Sequence, residues 1–499
     1  MREVTSSQMQ IGQTDIAQIP IDLTSRDDIP MILLGLQHIY TTDPLREAVF
    51  KILHEMVPYK DEENTGKQVA VDSDKGRPGM NQWSILVLGC LRLGLNADYD
   101  RIQELANQHK TLRMMLEHGL CDEDKMYSLQ TLKDNLKLFT PDILNRINTE
   151  VIHAGYELLD LDIHAMIRGR CDSFVLKTDV HFPTDINLLY DAVRVLFRLC
   201  VNWSQEYDLP EWRQHQYNLR QFKKLYRKIQ KLRHSTSKDE SKKKAREDLI
   251  REAHQAYINL AKSYLDRVIR SYALLKNTHK VPEILLLELQ TFSQHAERQI
   301  DQIKRRVLEG EKIPHDEKVF SLFQPHTEWI SKGKAGVPVE LGLRVCVMED
   351  TQGFILHQRV MQKETDDKVA IEMVKKTKEK FPSFNACSFD KGFHSPENQL
   401  ELKNQLEHTV LPKKGKLSKK DKDREYAEEF IQAKRQHSAV ESAINALQVH
   451  GLDKCPDHGI ERFECYVALA VLSRNIQKVG AIKRDITRQQ LAEEKKKAA

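Results

Sequence analysis

Strand-like sequence appears at Cys171–Val180 (CDSFVLKTDV) and does not return until Pro338, after more than a hundred residues of helical pattern. That gap constrains the fold more than any other feature. From Pro338 onward the segments are short and alternate in type. VELGLRVCVMED and FILHQRVM, joined at Thr351-Gln352-Gly353, alternate apolar and polar residues and predict a hairpin. A helix (DKVAIEMVKKTKEKF), a strand (FNACSFD), a helix (SPENQLELKNQ) and a strand (EHTVLP) follow. Then come one long helix from about Asp423 to His450, an apolar helix (ERFECYVALAVLSRNIQKVG) and a tail that reads as a frayed charged helix. This order makes an α/β core with a mixed sheet, whose first strand is displaced in sequence but free to sit beside the others in space.

The run from about Ile186 to Val307 places Leu, Ile and Tyr three and four apart with Lys and Arg between, and predicts a coiled or hairpin-like helical insertion. Upstream, the first ~30 residues are polar and loose. Residues 30–75 carry a helical pattern that ends in a polar loop, YKDEENTGKQVAVDSDKGRPG. A helical block from Asn81 to about Tyr156, broken at GLNADYD, suits DNA-end binding or dimerisation and packing equally. The expected organisation is an N-terminal extension (1–75), a helical DNA-binding domain (76–160), the first part of the core (161–190), the insertion (191–325), the rest of the core (326–482) and a charged tail (483–499). The fold class is an RNase H-like α/β core with an all-α N-terminal domain and a large helical insertion after the first core strand.

No apolar run reaches the ~18–20 residues of a membrane span. The best, Trp83 to Leu95, is too short and carries Arg92. The N-terminus lacks a signal-peptide pattern, so a cytoplasmic, nucleoid-associated bacterial protein is expected. Eight scattered cysteines are no disulfide framework. Cys455 and His458 (CPDH) make half a zinc site at best, and a structural role is the better reading. Gly310, Gly333 and Gly336 form no Walker-type loop, so no ATP site is expected. The net charge is only +4, but Arg220 to Arg251 holds thirteen Lys/Arg against four Asp/Glu, and LPKKGKLSKKDKDR is a second basic run. Such stripes are the footprint of phosphate binding, although solvated helix faces look the same.

Three carboxylates stand where metal chemistry would want them. Asp172 opens the first strand region, Asp390 ends an apolar strand, and Glu441 lies on the long helix in RQHSAVESAINALQ. Phosphodiester cleavage gains from two Mg²⁺ ions about 3.5–4 Å apart, one at the nucleophile and one at the leaving oxygen. Mg²⁺ needs only two or three acidic side chains because it keeps several waters. Any one acidic residue is more often a solvated surface group, and Asp390 equally fits a turn cap.

Several motifs together resemble a transposase of the bacterial ISNCY-like group. They are the block from Met80, CDSFVLKTDVHFPTDINLLYDAVRVL, QPHTEWISKGKAGVPVELGLRVCVMEDTQGFILHQRVM, SFDKGFHSPEN and HSAVESAINALQVHGLDKCPDHGIERFECYVALAVLSRN. The resemblance covers about residues 75 to 480. It implies that Asp172, Asp390 and Glu441 form a DDE triad, with 217 and 50 residues between them. Asp390, Lys391, Gly392 and Phe393 match the family's Asp-Lys/Arg/Ala-Gly-aromatic motif. Asp172 is favoured over nearby Asp179 and Asp185 by its distance from the Pro-Thr-Asp turn. More distant relatives carry Tyr-x2-Arg-x3-Glu-x6-Lys around the glutamate, where this chain has Lys434, His437, Glu441 and Gln448.

The resemblance further implies two Mg²⁺ (or Mn²⁺) ions, double-stranded DNA as partner (terminal inverted repeats and target) and a homodimer or higher synaptic assembly. Lys332, Lys334, Lys391, Lys434, Arg435 and His437 are the candidate DNA contacts, each with a solvated-surface reading beside it. Trp203, Trp212 and Trp329 suit base stacking or, more commonly, a core. The implied activity is cleavage at insertion-sequence ends to free a 3′-OH, then strand transfer. The alternatives are an inactive, domesticated DNA-binding scaffold and a nuclease without joining activity.

Overall fold

The computed structural model describes residues 3–5, 12–56, 59–61, 68–70, 79–119, 122, 124–204, 206–207, 209–278, 281–331 and 338–498. Two helices, α1 (Asp28–Thr41) and α2 (Asp43–His54), lead into a short antiparallel ribbon, β1 (Tyr59–Asp61) and β2 (Gln68–Ala70). The ribbon lies where the sequence predicts only loop. Five helices follow: α3 (Gln82–Gly94), α4 (Tyr99–Gln108), α5 (Lys110–Met115), α6 (Leu129–Leu136) and α7 (Pro141–Leu158). Side-chain caps start them: Asn81, Asp98, Ser128 and Thr140 each accept a backbone N–H at the first turn of α3, α4, α6 and α7.

Strand β3 (Ile167–Thr178) begins four residues before the predicted start. The predicted insertion is four principal helices: α8 (Asp185–Ser204), α9 (His215–Lys231), α10 (Glu240–Thr278) and α11 (Glu283–Ile303). Next come β4 (Glu328–Ser331), the hairpin β5 (Val339–Asp350) and β6 (Ile355–Met361), α12 (Asp366–Lys380), β7 (Phe384–Phe389), α13 (Pro396–Gln405) and β8 (His408–Val410). The predicted long helix is broken into α14 (Lys419–Glu425), α15 (Glu428–His437) and α16 (Ala439–Leu447). After β9 (Lys454–Cys455), α17 (Ile460–Ala498) runs through the predicted frayed tail.

The strands form one seven-stranded mixed sheet, in the order β4-β5-β3-β7-β8, with β6 on β5 and β9 on β3. β3 is antiparallel to β5, β5 to β6, and β3, β7 and β8 run parallel. Numbered by appearance, β6, β5, β3, β7 and β8 give 3-2-1-4-5, the order of an RNase H-like core. The fold class expected from the sequence is thus present: a mixed sheet behind a helical N-terminal region.

Contacts divide the chain into two compact units, residues 1–179 with 330–499, and residues 180–329. In the first, the N-terminal helices and the sheet share one apolar core. α3 is buried along its whole length, with the Trp83 indole donating to the Met115 carbonyl at 3.2 Å. α7 and α17 meet the start of β6 through two buried asparagines. The Asn475 amide accepts from Ile355 N and donates to Ile355 O, both at 3.0 Å, and also donates to Asn148. Unpaired backbone at a buried strand end is costly, and Asn475 satisfies both groups at once.

Burial, with Lys380 (3.4 Å away), Arg359 and Lys376 adding positive charge, pulls His357 on β6 down to about 3. His38 on α1 is pulled down to about 4, chiefly by burial. The unfolded chain protonates such histidines near 6.5 and the folded chain only far lower. Between those values the unfolded state binds the extra proton, so stability present above pH 6.5 is lost as pH falls. For His357 the loss is about 2–3 kcal/mol between pH 7 and pH 4.5. We expect His357→Gln to flatten the drop in urea midpoint over that interval. A variant with the wild-type drop would assign the acid sensitivity to other groups.

The second unit has its own core. Phe222 stacks on Tyr257 at 4.5 Å, Tyr190 on Tyr226 at 4.7 Å, and the buried Trp212 indole donates to Ser271 Oγ at 2.8 Å. Trp203 is buried here as well, and Trp329 lies edge-on to Phe182, so the three tryptophans pack within this unit.

Candidate active site

The parallel register of β3 and β7 builds the site. Cys171 pairs with Phe389, and both side chains are buried. The next position on each chain segment, Asp172 and Asp390, therefore points to the opposite face of the sheet, on neighbouring strands whose backbones lie about 4.8 Å apart. Asp390 is the residue after β7, where the chain turns through Lys391–Phe393. The buried Phe393 anchors that turn against Phe389 (5.6 Å), and Asn398 Nδ2 donates to Phe393 O and Asp367 O. Gly392 lets the turn approach α12. A Cβ there would sit 3.0 Å from Asp366 Oδ2.

Glu441 stands in the first turn of α16, exposed, while Val440, Ala443 and Ile444 are buried. α15 ends against β7, with His437 Nδ1 3.0 Å from Ser388 Oγ. Burial is the main influence on His437 and lowers it; Arg170 acts in the same direction, and the carboxylates of Asp390 and Glu441 oppose.

Asp172 is pushed up to about 7, first by burial and then by the negative charges of Asp390, Asp366 and Glu441. The backbone N–H of Ser173, at 2.7 Å from Asp172 Oδ1, opposes the shift. The three predicted carboxylates thus share one electrostatic field. Asp366 joins them without having been singled out in the sequence; it lies at the start of α12 and accepts a hydrogen bond from Ser173 Oγ at 2.7 Å. Its only sequence signal is the acidic pair Asp366-Asp367 opening a helix, which looks like ordinary dipole compensation.

Among the described residues, none of Asp172, Asp366, Asp390 or Glu441 forms an ion pair with Lys, Arg or His. Asp172 and Asp366 are partly buried and Asp390 and Glu441 exposed. A group of uncompensated carboxylates favours a cation, and their hard oxygen donors suit Mg²⁺ or Mn²⁺. Among the described residues no group of three His, Cys, Asp or Glu side chains is placed to hold a metal ion together. The carboxylates share a field without sharing a contact.

The other predicted residues divide. Lys391, Lys434 and Arg435 are exposed on the turn after Asp390 and on the last turn of α15. His437 is half-buried beside the carboxylates. Lys332 and Lys334 lie outside the described residues. Asp179 lies beyond the end of β3, paired with Lys454 at 2.5 Å. Asp185 opens α8 and pairs with Arg306 at 2.8 Å. Cys455 is a buried strand residue.

A sheet in 3-2-1-4-5 order, with adjacent aspartates on its two central parallel strands and a helix-borne glutamate beside them, defines the RNase H-like class of cores. Residues 309–476 match the family model described as the transposase DDE domain. The match includes Asp390 and Glu441 and begins well after Asp172. No curated protein and no solved structure matches the chain. Among the described residues, no helix is long and apolar enough to cross a membrane.

Proposed function

We propose that this chain is a transposase of the ISNCY-like group that cuts DNA at the ends of its insertion sequence and joins the freed 3′-OH to target DNA. The observation that carries this reading is the shared field of Asp172, Asp390 and Glu441 on an RNase H-like core, in a chain with a transposase DDE domain. These three side chains are the proposed ligands of two Mg²⁺ or Mn²⁺ ions. Bound there, such ions would activate the attacking oxygen and steady the leaving one.

The protein's own groups would position DNA. Lys391, Lys434 and Arg435 are exposed cations close in sequence to Asp390 and Glu441, suited to backbone phosphates. Lys332 and Lys334 are proposed for the same role on sequence grounds. His437, held by Ser388, orients a polar ring beside the carboxylates. Two ends must be held together for joining, so the proposed working form is a homodimer or larger assembly.

The test is incubation of purified protein with DNA carrying its own element's ends plus Mg²⁺. Nicked and joined products that need metal support the transposase. Nicking without joining identifies a nuclease, and binding without either identifies a DNA-binding scaffold.

A further inference from the structure

We propose that the exposed face of α9 is a second DNA surface, one that takes the phosphate backbone of duplex DNA irrespective of sequence. The proposal rests on the transposase reading for the identity of its polyanion. α9 carries Arg220, Lys223, Lys224, Arg227, Lys228 and Lys231 and no acidic residue, more positive charge than the net +4 of the whole chain. All six side chains are exposed. At 100° per residue they fall within one arc, and from Arg220 to Lys231 they extend about 16 Å along the axis.

The opposite face explains why the cations are confined to this arc. Phe222 and Ile229 are buried, and Leu219, Leu225 and Tyr226 pack against the same core. The basic face is left with unusual electrostatics. Four like-charge pairs stand one turn apart: Arg220/Lys224, Lys223/Arg227, Lys224/Lys228 and Arg227/Lys231. Such spacing destabilises a helix. Among the described residues no carboxylate pairs with any of the six. The start of α10 shows the contrast, because there Lys243 pairs with Glu240 at 2.7 Å and Lys242 with Asp239 at 3.8 Å. A solvated face usually intersperses both signs. A face that concentrates one sign against its own helix stability is matched to an external polyanion.

An anionic membrane is the weaker occupant. A helix that lies on lipid must insert an apolar face, and the apolar face of α9 is already spent on the core. Within a chain bearing a transposase DDE domain, duplex DNA is the polyanion at hand.

The experiment compares full-length wild type with the combined variant Lys223→Gln, Lys224→Gln, Arg227→Gln and Lys228→Gln. Binding to a short fluorescent duplex of arbitrary sequence is titrated against salt, without metal. Each phosphate contact contributes about 0.9 to the slope of log K against log salt. The expected result is a slope shallower by roughly two to four, with unchanged circular dichroism and a melting temperature no lower than wild type, since the like-charge pairs are relieved. An unchanged slope overturns the proposal. So does wild-type binding to phosphatidylserine vesicles in preference to DNA, lost in the variant. Cleavage of element ends is read in parallel. If wild type does not cleave but the slope still falls, the catalytic reading fails and the α9 surface stands; cleavage with an unchanged slope is the reverse.

Discussion

Asp172→Asn is expected to reduce metal-dependent DNA cleavage by about 10³-fold or more, while Asp179→Asn stays within a few-fold of wild type. The two aspartates lie on or just beyond the same strand, seven positions and so roughly 23 Å of extended chain apart. Asp172 feels Asp390, Asp366 and Glu441; Asp179 is occupied by Lys454. A metal-held phosphoryl-transfer site supplies several kcal/mol of transition-state charge stabilisation. At about 1.4 kcal/mol per tenfold, losing a ligand reaches the thousandfold range. Both variants should bind element ends within about threefold of wild type, since neither removes a cation. Equal cleavage by Asp172→Asn and wild type would remove Asp172 from the triad.

The largest stability effect is expected from Gly480→Ala. α1 and α17 cross with their backbones almost in contact. A Cβ on Gly480 would lie 1.9 Å from Met31 O and 2.9 Å from Gly35 N, and one on Gly35 would lie 2.1 Å from Ile476 O. These neighbours are backbone, so relief requires separating the helices along a buried seam. Overpacking a core typically costs about 1–3 kcal/mol. Here nothing flexible yields, and about 3 kcal/mol or more is expected. Chemical denaturation measures it, with the exposed Gln489→Ala as a control that should shift by no more than ~0.5 kcal/mol. Midpoints that coincide for the two variants would show that the seam has room for a methyl.

The hairpin and strands β3, β7 and β8 were legible because period-two alternation is a local property. β1, β2, β4 and β9, two to four residues each, were not, and β4 falls where no strand was expected before Pro338. Asp390 was legible for the same reason: it ends an apolar strand and opens a glycine turn. Asp366 was not, because its partner Ser173 is far away in sequence and only the sheet brings them together. The divided helix before Glu441 left no trace either. Its interruptions at Tyr426-Ala427 and Ser438 contain neither Gly nor Pro, and Ser438 Oγ simply bonds back to Arg435 O. The tail held the opposite lesson: unbroken charged sequence without a stop signal let α17 continue. The α1–α17 seam depends on two glycines far apart in the chain, a pairing no local pattern encodes.

That seam also sets an order of events during synthesis. α1 leaves the ribosome early, yet its partner surface on α17 begins only at Ile460. At ~5–20 residues per second, α1 waits roughly 20–90 s for the helix that covers it. The insertion, whose core is drawn from one continuous stretch, can close in the meantime. Its Lys- and Arg-rich helix is therefore finished before the carboxylate centre exists, and under the two proposals made above a nascent chain would grip nucleic acid before it could cut it.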